Sequence, residues 1–290
     1  MAFFKRHQGR GSYDLFSTYN YFMPGVSDLA WLVILFFVGV FLGILISAGL
    51  ALGISQDFAL TYGMVIVYPV QFIPAMLYAS AVSNRNMGFE PEYPLDNSNF
   101  GGRSGLSMAL IVSVMALAAV FVIEPVSMLL PEMSEAMKAA MEMMLNGPIW
   151  IVLISVSIFA PFFEEWLCRG LVLRGLMKHM NPTGAICVSA AFFAILHMNP
   201  WQALPAFILG LLFGYVYYGT GSLKLTMLMH CVNNTFSVLV SKVPAFEEAE
   251  TFMDILSPWA YAGIYIACVL MLASALILIT GITVKDRKMG

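Results

Sequence analysis

Six polar residues interrupt apolar sequence long enough to cross a bilayer: Glu164, Glu165, Arg169, His197, His230 and Asn234. Side chains of these types cost roughly 2–4 kcal/mol each inside a membrane, so three neighbouring apolar stretches that carry them mark a candidate buried site. Glu165 and Arg169 are four residues apart, share one helix face and can neutralise each other as an ion pair. Glu164 is rotated from Glu165 by about 100 degrees and is the carboxylate left for chemistry. Acting on a water held with His197, it can serve as a general base for hydrolysis of a peptide carbonyl. His230 and Asn234, again four apart, project together and can donate to the developing oxyanion, at about 3 kcal/mol per well-placed donor. Asn233 sits beside that face, one residue out of register. The same donors have a second use, because Glu164, His197 and His230 could hold Zn²⁺ with one position open to water. No H-E-x-x-H helix is present, which excludes the zincin arrangement.

The elements that must position these groups are membrane helices. The 290 residues are 60% hydrophobic and only 11% charged, with mean hydropathy +0.83, far from the composition of a water-soluble domain. A net charge of -3 without a concentrated basic face argues against a nucleic-acid partner. Apolar runs predict an all-α, polytopic transmembrane bundle of about eight spans. They cover 29–55, 58–82, 106–130, 149–177, 185–198, 204–218, 225–240 and 259–284. The first run begins too late and is too long for a signal core, so it reads as an uncleaved anchor.

With both termini in the cytoplasm, the inner segments hold all the basic residues except Lys138 and Lys242. Glu132, Glu135, Glu142, Glu247, Glu248, Glu250 and Asp254 then fall outside, as expected for a multi-pass protein of the cell membrane. Between Pro131 and Gly147, Met133, Met137, Ala140, Met141 and Met144 fall roughly on one face of an amphipathic helix expected to lie on the outer interface. The organisation expected is a cytoplasmic segment 1–28, one helical domain 29–284 with its chemical core at about 149–240, and a cytoplasmic tail 285–290. Pro125, Pro161 and Pro205 are candidate helix breakers, and Gly210, Gly214 and Gly219 permit close helix contact within or between chains. The four cysteines show no metal or disulfide spacing.

Glu164-Glu165-x-x-x-Arg169, Phe193-x-x-x-His197 and His230-x-x-x-Asn234, in that order on separate apolar stretches, resemble the three motifs of the CPBP intramembrane protease family. That family includes CAAX prenyl endopeptidases of the Rce1 type and bacteriocin-processing or immunity-associated relatives. The likeness spans about 161–237 and takes in Gly219-Thr-Gly-Ser222. It implies an endopeptidase acting on a membrane-embedded or lipid-anchored peptide or protein. Glu164 and His197 would activate water, His230 and Asn234 would stabilise the oxyanion, and Glu165 and Arg169 would support them. Both metal-dependent and glutamate mechanisms have been described in the family, and the glutamate route is favoured here. The rival reading is a catalytically silent scaffold, immunity factor or transporter that uses the same cluster to hold helices together or bind a ligand.

Overall fold

The computed structural model describes residues 15–145, 147–246, 249 and 251–289, without the side chains of 140 and 284–289. The first fourteen residues of the expected N-terminal segment lie outside the described residues, as do Glu247, Glu248 and Glu250. Among the described residues there is no strand, and the chain is all-α. Six helices are long and apolar enough to cross a membrane, namely Val26–Gly53, Gln56–Asn86, Gly105–Ser127, Ile149–His179, Pro200–Thr220 and Pro258–Thr283. The remaining two of the eight expected segments are also helical. Pro182–Leu196 is apolar but short, and Leu223–Val240 carries Lys224, His230, Asn233 and Asn234. The protein is a multi-pass membrane protein. Its described residues form two compact units.

Among the described residues, the first unit comprises 15–97 together with Ser134–Ala185. Helix α1 (Val26–Gly53) starts at Gly25, whose amide donates to Asp28 Oδ2 at 2.9 Å, and Tyr78 donates to the other oxygen at 2.6 Å. A carboxylate in a first turn meets the positive end of the helix dipole. Ser55 caps α2 (Gln56–Val70), accepting from Phe58 N. The second expected span, 58–82, falls within Gln56–Asn86, whose helical ladder is interrupted at Gln71 and Phe72 before α3 (Ile73–Asn86). Pro69 and Pro74 each lack an amide donor, so the ladder cannot be carried through this stretch. Gly39 of α1 lies against the break, where a Cβ would meet the Gln71 carbonyl oxygen at 2.0 Å. Between Pro131 and Gly147, α5 (Glu135–Leu145) forms as the methionine pattern predicts. The motif helix follows as α6 (Ile149–Val152), α7 (Ala160–Glu165) and α8 (Arg174–His179), with two π-helical segments between them. The fully buried Arg174 donates to the carbonyls of Tyr93, Tyr19 and Phe22, fastening residues 19–22 and the loop at 93 to α8.

The second unit comprises Ser98–Met133 and Ile186–Gly290. Here α4 (Gly105–Ser127) and α10 (Pro200–Thr220) run through Pro125 and Pro205 without a break. They pack with most of α9 (Pro182–Leu196), α11 (Leu223–Val240), the short α12 (Phe252–Ile255) and α13 (Pro258–Met289). Helix α13 continues into the expected tail as far as Met289. The small residues of α10 serve contacts within one chain. A Cβ at Gly214 would sit 3.0 Å from Ile186, and one at Gly219 would sit 2.2 Å from Ile279. Gly221 has φ +67°, the left-handed conformation that ends α10, and Ser222 immediately caps α11 by accepting from Leu225 N. This Gly-Ser hairpin fixes where α11 starts, and so which of its residues face inward.

Candidate active site

Pro161 decides the local shape of the motif helix. It has no amide proton for the Ser157 carbonyl, and its ring crowds that turn, so the chain widens instead of breaking. The Ala160 amide bonds to Ser155 O, five residues back, at the end of a π segment spanning Leu153–Phe159. A second π segment spans Trp166–Leu173, ending where Arg174 N reaches Arg169 O. Glu164 and Glu165 lie between the two widenings, in one short stretch of α-helix, so their directions diverge as expected. Glu165 and Arg169 are fully buried and joined at 2.7 Å. Glu164 is 9% exposed, and Tyr68 of α2 donates its hydroxyl to Glu164 Oε1. Phe163 stacks on Phe72 with centroids 5.2 Å apart and planes at 17°, and Tyr68 packs against the same Phe72 at 5.8 Å.

In the second unit, His197 stands at a helix end. Helix α9 ends at Leu196, and His197 lies in the turn immediately beyond it. The amides of His197 and Met198 bond back to Ala194 and Ile195, three residues away, and Met198 takes φ +49° before Asn199 caps α10. His197 Nδ1 is 2.9 Å from the Phe193 carbonyl. A carbonyl only accepts, so Nδ1 carries the proton, and Nε2 is the nitrogen left to face other partners. His230, 3% exposed, packs between the rings of Phe193 and Phe213 at 5.5 and 5.2 Å. Phe193 also meets the His197 ring edge-on at 4.9 Å, so one phenyl ring spaces both imidazoles.

Asn234 is half-buried, whereas its neighbour Asn233 is buried. Asn233 Nδ2 donates to Asn234 Oδ1 at 3.1 Å, which sets the Asn234 amide with its nitrogen turned away from Asn233. The two asparagines therefore act as a pair. Tyr68, Phe213 and the Asn233–Asn234 bond were not singled out from sequence. For Tyr68 the available signal was an aromatic with a polar tip inside an apolar span.

Residues 146–236, which hold every one of these motif residues, match the family model of the type II CAAX prenyl endopeptidase Rce1-like proteins. This segment is similar to Rce1-like proteins, and it is the segment that carries the three motifs. It is also 25% identical over 126 residues to a candidate membrane peptidase, YdiL, of Bacillus subtilis (strain 168). That match covers 42% of this chain and 51% of the relative, so the chain spans about half the length of the curated protein it resembles. No solved structure matches the chain. Helices α1–α3 and α13 lie outside the matched segment.

Proposed function

We propose that this protein is an intramembrane endopeptidase that hydrolyses a peptide bond of a membrane-embedded or lipid-anchored substrate. The observation that carries the reading is the Glu164 carboxylate: nine-tenths buried, oriented by Tyr68, and set within a family-matched segment. Glu164 takes a proton from water, and the resulting hydroxide adds to the substrate carbonyl carbon. His197 accepts the second water proton in a hydrogen bond at Nε2 and so aims the oxygen. His230 and the Asn234 amide nitrogen donate to the oxyanion. When the tetrahedral adduct collapses, the C–N bond breaks and the amine leaves with the proton that Glu164 holds.

Within either unit, among the described residues, no three His, Cys, Asp or Glu side chains gather as a metal-ligand set. Glu164 belongs to the first unit, and His197 and His230 belong to the second. Zn²⁺ held by these three residues would supply a polarised water. Both termini are placed in the cytoplasm on the basis of the basic residues.

The test is cleavage of a library of internally quenched peptides by the purified protein in proteoliposomes, with and without a zinc chelator. Cleavage that survives chelation supports the proposal. Cleavage abolished by chelation and restored by Zn²⁺ assigns the three donors to a metal. No cleavage of any peptide returns the cluster to a scaffold role.

A further inference from the structure

Tyr68 stands about a hundred residues from the motifs in sequence, on a helix outside the family-matched segment, yet its hydroxyl donates to Glu164 Oε1. The ring that carries this hydroxyl is itself held. It packs against Phe72, Phe72 stacks on Phe163, and Phe163 precedes Glu164 in the chain. The acid and its donor are thus fixed from one aromatic stack. Phe72 stands in the α2–α3 break, where α1 can lie close only because residue 39 is glycine. A carboxylate on a two-bond arm has several rotamers and a nearly free terminal torsion. One hydrogen bond from a fixed donor removes most of that freedom, and a base held in its reacting geometry gains rate without gaining substrate affinity.

We propose that Tyr68 is a positioning residue for Glu164, using its hydroxyl to hold the carboxylate in the orientation that accepts a proton from water. This rests on the assignment of Glu164 as the base. Tyr68 need not touch substrate; it acts through the acid.

The experiment compares wild type, Tyr68→Phe, Glu164→Gln and a Tyr68→4-aminophenylalanine variant, which restores a donor to the ring. Each is reconstituted in proteoliposomes with a quenched peptide that the wild type cleaves, and kcat, KM and the unfolding midpoint are measured. Loss of a hydrogen bond to a charged group predicts a kcat lower by about 10- to 100-fold in Tyr68→Phe. KM should stay within about twofold, and the amino variant should recover most of the loss, because ground-state binding is untouched and the donor has returned. Wild-type kcat in Tyr68→Phe, or no recovery in the amino variant, overturns the proposal. If Glu164→Gln is inactive in that same experiment, the base assignment still stands. Full activity in Glu164→Gln defeats the base assignment and takes the role of Tyr68 with it.

Discussion

Replacing Arg169 by methionine leaves Glu165 fully buried without the cation 2.7 Å away, because both side chains have no exposed surface. Solvent cannot screen such a pair as it screens a surface bridge, and breaking one partner of a buried pair costs about 3–5 kcal/mol. Replacing both partners removes the stranded charge. Glu165→Gln/Arg169→Met should therefore lose much less than the sum of the single changes, with a coupling of about 2 kcal/mol or more between the sites. Four variants close the cycle: wild type, each single change and the double. Unfolding in detergent can be followed by tryptophan fluorescence, since Trp166 is buried beside Glu165. Additive losses in the double variant, or a single Arg169→Met loss below about 1 kcal/mol, would refute the claim that this pair exists to neutralise buried charge.

Other consequences follow from single contacts. Gly219→Ala places a Cβ 2.2 Å from the stiff Ile279 side chain and should cost about 1–3 kcal/mol in thermal stability, most of which Ile279→Ala in the same chain restores. Met198, 57% exposed with φ +49°, should gain up to about 1 kcal/mol when changed to glycine and lose stability when changed to valine, read from the unfolding midpoint. Arg174→Lys cannot spread its donors over the Tyr19, Phe22 and Tyr93 carbonyls, so limited proteolysis near Tyr19 should accelerate in that variant while the wild type stays protected.

The helices and the Glu165–Arg169 pair were legible in the sequence because both depend on local spacing, a run of apolar residues or a gap of four. The position of Glu164 was legible only in part. Its divergence from Glu165 follows from α-helical arithmetic, but the π segments on either side leave no periodic mark beyond Pro161. Tyr68 is hidden for a different reason: its bond spans 96 residues, and no local pattern encodes a contact of that range. The break after Val70 had its signal in Pro69 and Pro74, yet the apolar run around them masks it, whereas Pro125 and Pro205 leave their helices intact. Gly214 and Gly219 announced close packing, and only coordinates could name Ile186 and Ile279 as what they pack on. His197 falls outside its helix by one residue, a difference too fine for hydropathy to mark.

The most direct test of the account is the single-turnover cleavage rate of Glu164→Gln in proteoliposomes, with peptide binding measured alongside. Glutamine keeps the size and a hydrogen-bonding oxygen but cannot take a proton from water. The account predicts binding like that of the wild type and a rate lower by about a thousandfold or more, as expected when a general base is lost. A rate equal to the wild type's would contradict it.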